Sequence, residues 1–337
     1  MNFFHYIRPI LALLLLAGCA APAGTAATEP PSAVVIQTEA SPPPAATEIL
    51  APTPTSPPAP LDTASPPPAQ ATPLPSEMPS PTVSSAPRQL GPDEWKTLPI
   101  VPEISERARE IYRRGVELGR TPQAFSKVGD CGSTPAWFLG DFDHGPKYYQ
   151  LGEYTNLEPV IDYFQGSYGR TSLAAKAGFS ASSLLTPLWA DKKQCAANEI
   201  PLECEYRVHN PSFALITLGT NDVWHAKSFV PQMRKIIEFS IDNGILPILA
   251  TKADNLEKDG SLNAAIAQLA VEYELPLWNY WLAVQPLPNG GLQEDGAHIT
   301  WGANRFNDPN TMQKGWTVRN LTALQVLDAV WRGVSEE

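Results

Sequence analysis

The sequence lacks the motifs and charges that mark several large classes of protein. It contains no GxGxxG loop and no Walker-type phosphate loop, so nothing in it predicts a dinucleotide or nucleoside triphosphate site. It has no basic stripe, and 35 acidic against 24 basic residues give a formal net charge of −11, which argues against nucleic acid as a partner. No internal repeat is visible, and cysteine is scarce, with four residues in a chain of 337.

Aromatic and basic residues are missing from one long stretch. Between Cys19 and Arg88 there is no Phe, Trp, Tyr, Lys or Arg, whereas many of the 36 prolines fall there. Such a composition cannot bury enough apolar surface to offset its conformational entropy, and its proline runs favour extended polyproline II. We therefore predict that residues 20–90 are a disordered linker rich in Pro, Ala, Thr and Ser, which acts as a semi-rigid spacer.

The first 19 residues have the pattern of an export signal. Arg8 precedes a short apolar run, which is too short to span a membrane stably. The run ends in Leu16-Ala17-Gly18-Cys19, which resembles a bacterial lipobox. The resemblance implies cleavage before Cys19, lipidation of its thiol and an exported protein anchored at the extracytoplasmic membrane surface. The alternative is an ordinary signal peptide with an incidental cysteine.

The remaining residues, 91–337, suit a single α/β domain in which strands alternate with helices. Helical spacing of apolar residues predicts helices at 103–119, 157–164, 180–190, 229–243, 262–273 and 317–331. Apolar runs predict strands ending at Cys131 and at 171–177, 213–218, 245–251 and 275–280. We expect a three-layer, doubly wound α/β/α sheet of about five parallel strands, similar to flavodoxin.

Three polar tips follow predicted strands or lie near the C-terminus: Gly129-Asp130-Cys131, Gly219-Thr220-Asn221-Asp222 and Asp295-Gly296-Ala297-His298. With Gly178 between the first two, their order resembles the SGNH (GDSL-type) hydrolase family over most of residues 122–301. The second tip matches the GxND block of that family and the third matches its DxxH block. The first departs from the Gly-Asp-Ser motif, because Cys131 stands at the serine position.

The resemblance implies a covalent acyl-enzyme mechanism. Cys131 would be the nucleophile, since a thiol paired with a histidine gains thiolate character. His298 would be the general base, and Asp295 would hold its ring. Donors to the oxyanion would be the backbone N–H of Cys131, the backbone N–H of Gly178 and the side-chain amide of Asn221. The alternatives are structural roles: a small buried residue for Cys131, a loop histidine for His298, a turn glycine for Gly178 and a turn-stabilising asparagine for Asn221. Ser133 is the fallback nucleophile.

The other two cysteines bracket a short polar loop, KKQCAANEIPLECEYR. In an exported protein the natural interpretation is a Cys195–Cys204 disulfide, with metal binding as the less favoured alternative. No metal or other cofactor is expected.

Several aromatic residues fall in or near the predicted loops at the strand ends, where some would form a rim on which a sugar stacks: Trp137, Phe138, Trp224, Trp278, Trp281 and Trp301. Packing in the core and loops is the alternative for each of them.

These features together predict a monomeric, surface-anchored esterase or deacetylase that acts on acylated carbohydrate or small esters. The alternatives are a non-catalytic carbohydrate-binding module that retains the fold and the cleft, and an O-acyltransferase.

Overall fold

The structure, a computed structural model, describes residues 88–335. The predicted signal with Cys19, and the predicted linker up to residue 87, lie outside the described residues. The first described residues already pack on the domain, since the backbone N–H of Leu90 donates to Oε1 of Gln268 (2.9 Å). Within residues 88–335, no helix is both long enough and apolar enough to cross a membrane.

The strands are β1 (Thr121–Gly129), β2 (Tyr149–Gln150), β3 (Pro211–Thr217), β4 (Leu246–Ala250), β5 (Leu277–Trp278) and β6 (Asn304–Arg305). The main sheet is entirely parallel, in the order β1-β3-β4-β5, and β2 pairs with β6 separately. Every residue of β4 is buried, as are the first six of β3. Continuous apolar strands of this kind require cover on both faces of the sheet.

Two sets of helices supply that cover. The helices are α1 (Glu106–Glu117), α2 (Glu158–Tyr163), α3 (Ala181–Leu184), α4 (Pro201–His209), α5 (Ala226–Asp242), α6 (Ser261–Glu272), α7 (Tyr280–Val284) and α8 (Gly315–Ser335). The first set packs α8 against α1 and α2, and the second packs α5 against α3 and α6. Since β4 contacts α1 as well as α5 and α6, the sheet lies between the two sets. The predicted three-layer α/β class is confirmed.

The sheet has four strands instead of about five. Of the predicted strand at 171–177, only Ala175 pairs with the sheet, as a single parallel bridge to Gly129. The predicted strand at 275–280 shortens to β5 because the side chain of Asn279 accepts the N–H of Leu282 and begins α7.

Pro247 lies in the interior strand β4, although a proline suits an edge strand better. From Leu249 onward, alternate N–H groups of this chain segment donate to the β5 segment: Leu249 to Pro276 and Thr251 to Trp278. By the same alternation, the N–H that Pro247 lacks would point toward β5. Because β5 begins only at Leu277, opposite Leu249, no ladder bond is lost at Pro247.

Two helices differ from the expectation. The predicted helix at 180–190 is only α3, followed by a 3-10 turn over Pro187–Trp189. A proline disfavours helical geometry in the residue before it, so the α-helix ends short of Pro187. The predicted polar loop after Cys195 contains α4, which begins at Pro201, and proline is favoured at a first helical position.

Candidate active site

Cys131 lies two residues after the carboxyl end of β1, whereas the strand was predicted to end at Cys131 itself. It begins a 3-10 turn over Cys131–Ser133, and its side chain is half-buried. The preceding Asp130 caps the turn, because its Oδ1 accepts the backbone N–H of Gly132 at 2.8 Å. Burial raises the pKa of Asp130, against the opposing effects of Arg319 and of that N–H. Asp130 thus stabilises the turn through its side chain.

Ser133, the fallback nucleophile, is fully buried. Its Oγ is hydrogen-bonded to Oγ1 of Thr217, the last residue of β3. A Cβ added at Gly129 would lie 2.3 Å from this Oγ, so the serine fills the space under the glycine. The structure therefore gives Ser133 a packing role, and Cys131 is the more accessible of the two side chains in the turn.

The segment before Gly178 runs beside the end of β1. The N–H of Gly129 donates to the carbonyl of Ala174 (3.0 Å), and the N–H of Lys176 donates back to the carbonyl of Gly129 (3.2 Å). The chain then turns at Gly178, whose φ of +82° is a conformation that favours glycine. Gly178 is exposed. The two hydrogen bonds with Gly129 place the segment that contains Gly178 beside the strand end that leads to Cys131.

Asn221 lies in the 3-10 turn Thr220–His225 that follows β3. Its Nδ2 donates to the carbonyl of Phe179 (2.9 Å), the residue after Gly178. The neighbouring Asp222 is buried and accepts two backbone N–H groups, from Ala181 (2.9 Å) and Gly219 (3.2 Å). Burial raises the pKa of Asp222, and these two donors oppose the rise. These bonds bring the Asn221 turn against the Gly178 segment.

His298 and Asp295 form the predicted pair. Nδ1 of His298 is 2.5 Å from Oδ2 of Asp295, and Oδ1 of the same carboxylate accepts the backbone N–H groups of Ala297 and His298, each at 3.0 Å. Burial by itself would raise the pKa of Asp295, but the hydrogen bonds outweigh it and lower the pKa to about 2. The carboxylate is therefore charged at neutral pH and fixes one ring nitrogen of His298.

The amino end of α8 contacts both the histidine loop and the cysteine turn. Two backbone N–H groups of α8 bind Thr300, two residues after His298: that of Gly315 donates to Oγ1 (2.8 Å) and that of Trp316 to the carbonyl (3.1 Å). One turn further along α8, Nη1 of Arg319 donates to the carbonyl of Gly132 (2.6 Å). The first two turns of α8 thus hold the two segments that carry His298 and Cys131.

Arg319 is a residue of this region that the sequence analysis missed. Its side chain is only 6% exposed and its guanidinium lies over the ring of Phe138, 4.4 Å from the ring centroid. A signal for it was present: Arg319 falls three residues after Trp316 and four before Ala323, both buried, so it is a charged residue on an apolar helical face.

The aromatic residues divide into two groups. Phe138 and Trp278 are fully buried, and Trp137 and Trp281 pack partly buried against the core. By contrast, Trp224 is 85% exposed and Trp301 is 67% exposed. Each exposed tryptophan comes three residues after a predicted site residue, Trp224 after Asn221 and Trp301 after His298.

The predicted disulfide is confirmed. Cys195 and Cys204 are bonded, with their Cα atoms 5.3 Å apart. Since both sulfurs are used in this bond, neither is a thiolate ligand for a metal ion.

Comparisons with known proteins leave the family of this chain open. No protein-family model matches the chain, and no curated protein matches it. One solved structure to which it is similar is a GDSL-like lipase from Bacteroides thetaiotaomicron VPI-5482. The two are 17% identical, the match covers 66% of this chain and 98% of the other, and the TM-score is 0.39.

Proposed function

We propose that this chain is an esterase or deacetylase that cleaves acylated carbohydrate through a thioester acyl-enzyme on Cys131. The observation that carries the proposal is the Asp295–His298 pair, in which a charged carboxylate holds Nδ1 of the imidazole at 2.5 Å. A histidine fixed in this way presents Nε2 for proton transfer, as required of a general base that serves a nucleophile.

The arrangement of the other segments supports the same proposal. Cys131, the Gly178 segment and Asn221 are linked through Gly129 and Phe179 by the hydrogen bonds described above. The carboxyl ends of parallel strands are where ligands bind in open α/β sheets, and β1 and β3 both end here. These three segments supply a thiol and three donors of the kind that an acyl-transfer site needs.

The reaction then follows in two halves. The thiol proton of Cys131 passes to Nε2 of His298, and the sulfur attacks the ester carbonyl carbon. The N–H groups of Cys131 and Gly178 and the amide of Asn221 stabilise the oxyanion. The intermediate collapses with cleavage of the ester C–O bond, and the alcohol leaves with the proton from His298. Water attacks the thioester carbonyl carbon as His298 takes its proton. The intermediate then collapses with cleavage of the C–S bond, the carboxylic acid leaves, and the proton on His298 returns to the sulfur of Cys131.

The exposed indoles favour a carbohydrate as the alcohol part of the ester. Trp224 and Trp301 keep large apolar faces in water although the domain has a well-packed core. Flat aromatic surfaces of this kind bind the apolar face of a ligand while the indole N–H serves polar groups. Because both lie close in sequence to site residues, we place the sugar of the substrate against them.

The full chain should hydrolyse p-nitrophenyl acetate and release acetate from an acetylated polysaccharide. We expect iodoacetamide to block both activities, with modification of Cys131 verified by peptide mass spectrometry. Cys131→Ala should be inactive, whereas Ser133→Ala should still hydrolyse both substrates because it retains Cys131. Turnover that is insensitive to alkylation and lost in Ser133→Ala would contradict the proposal.

Two further outcomes would support the alternatives. Binding of the polysaccharide without any turnover would identify a non-catalytic binding module. Acetyl transfer to an added sugar acceptor in preference to water would identify an O-acyltransferase.

A further inference from the structure

A buried cation lies against the turn that carries Cys131. Arg319 of α8 donates from Nη1 to the carbonyl of Gly132 at 2.6 Å, one peptide unit from the cysteine. The contact is tight, because a Cβ added at Gly132 would lie 2.9 Å from the same Nη1. Only 6% of Arg319 is exposed, so its charge acts through protein with little screening by water.

The surroundings of this guanidinium are aromatic. Its central carbon is 4.4 Å from the ring centroid of Phe138, 5.1 Å from that of Trp316 and 5.6 Å from that of Tyr280. Within residues 88–335, no carboxylate forms a salt bridge with Arg319, and Nε has no hydrogen-bond partner. Asp130 is the nearby carboxyl that interacts with this charge: a Cβ added at Gly132 would lie 3.1 Å from its Oδ1, but the two side chains form no direct ion pair. A buried charge without a direct ion pair is costly, and the cost falls when a further anion forms nearby.

The charged and titratable groups that interact with Asp130 of the turn or with Arg319 are Asp222, Asp254 and Tyr280. Asp295 and His298 lie on the separate loop whose Thr300 is bound by the amino end of α8. Asp130 is the carboxyl adjacent to Cys131 in sequence, but it already accepts the N–H of Gly132, and burial raises its pKa. Burial also raises the pKa of Tyr280, whose hydroxyl donates to the carbonyl of Gly315 at 3.1 Å. Cys131 is the group of this turn that must become an anion for the proposed reaction.

We propose that Arg319 is a positioning residue that stabilises the thiolate of Cys131 by its charge while it holds the turn through Gly132. The proposal rests on the proposed function in one respect, the role of Cys131 as nucleophile. It also gives a reason why a thiol is usable at this position: a buried cation favours a thiolate, and thiolates are found in electropositive settings. Burial lowers the pKa of Arg319, and its interactions with Tyr280, Asp130 and Cys131 oppose that shift.

The test is the pH dependence of alkylation of Cys131 in the full chain. The rate of modification by iodoacetamide would be followed at the Cys131 peptide by mass spectrometry, so Cys19 does not interfere. We expect Arg319→Gln to raise the midpoint of the pH profile by about one unit or more, because a close positive charge commonly shifts a pKa by about 1–3 units. Arg319→Lys, which keeps the positive charge, should have a midpoint close to that of the parent chain. Arg332→Gln, which removes an exposed arginine of the same helix, should change nothing.

An unchanged midpoint in a folded Arg319→Gln variant would overturn the proposal, with folding checked by thermal unfolding. Should that variant not fold, His298→Ala at a half-exposed position serves instead. If Arg319 acts as proposed, the midpoint in His298→Ala stays below about 8.5, the usual thiol value, and a midpoint at or above it overturns the proposal. Alkylation needs no turnover, so a shifted midpoint in a chain without esterase activity would contradict the proposed function alone.

Discussion

Nδ1 of His298 lies 2.5 Å from Oδ2 of Asp295, while the backbone N–H of His298 donates to Oδ1 of the same carboxylate. One carboxylate therefore fixes both the main chain and the ring of the histidine. The three-residue spacing makes this possible, because the chain folds back at Gly296, where φ is +69°. The pair is a local unit whose orientation depends little on distant parts of the fold.

Replacing Asp295 by Asn should reduce ester hydrolysis far more than it reduces stability. The amide keeps the size of the side chain but loses the charge and favours the wrong ring tautomer, which costs about 10²–10⁴-fold in kcat in comparable triads. Glu294→Gln, at the exposed neighbouring position, is the matched control and should retain activity. Rates on p-nitrophenyl acetate would be compared. A full rate in Asp295→Asn would remove Asp295 from the site.

Removing either exposed tryptophan should weaken the use of a polysaccharide substrate but not that of a small ester. We expect Trp224→Ala and Trp301→Ala to raise KM for acetylated polysaccharide several-fold while KM for p-nitrophenyl acetate changes little, since a small ester does not reach a sugar platform. Leu118→Ala is the control. Leu118 is also exposed, but it lies just before the amino end of β1, whereas the candidate site lies after the carboxyl ends of the strands. Equal effects on both substrates would indicate a structural role for the indoles.

The order of elements was predictable from the sequence because long apolar runs and helical periodicity determine β3, β4, α5, α6 and α8. The short elements were not. β5 ends after two residues because Asn279 caps the next helix, and Ala175 reaches the sheet only as a bridge to Gly129. Both depend on tertiary hydrogen bonds, which local periodicity does not encode.

The candidate site was predictable where a motif is local and was missed where a residue acts from a distance. Asp295 and His298 are three residues apart, and their pairing follows from that spacing. Arg319 reaches the Cys131 turn across 187 positions of sequence, and within α8 it is one charge on an apolar face. The packing that makes Arg319 relevant exists only in the folded chain.

A buried lysine in β1 should make stability depend on pH. The side chain of Lys127 is 1% exposed and its Nζ donates to the carbonyl of Tyr168 at 2.5 Å. Burial lowers the pKa of Lys127 to about 7, with Asp143 opposing the shift. Between about pH 7 and about pH 10 the unfolded chain therefore holds a proton at this lysine that the folded chain does not.

The free energy of unfolding should consequently rise with pH over this interval, by up to about 1.4 kcal/mol per pH unit from this group, and stay level below it. Lys127→Met should abolish the rise, whereas Lys147→Met, at an exposed position, should preserve it. Urea unfolding at several pH values in this range measures the effect. The same slope in Lys127→Met and in the parent chain would show that Lys127 stays protonated when folded.

Gly115 should tolerate no side chain, although it lies inside α1. A Cβ there would lie 2.0 Å from the carbonyl oxygen of Gly244, in the turn between α5 and β4, and both partners are backbone. Alanine is intrinsically better than glycine in a helix by about 1 kcal/mol, but overpacking costs about 1–3 kcal/mol or more, so Gly115→Ala should destabilise the domain. At Gly91 an added Cβ would approach only Glu94, at 3.8 Å, and Gly91→Ala should be nearly neutral. Chemical unfolding measures the free energy of unfolding of both variants and of the parent chain. A Gly115→Ala variant as stable as the parent would show that α1 shifts away from Gly244 at little cost.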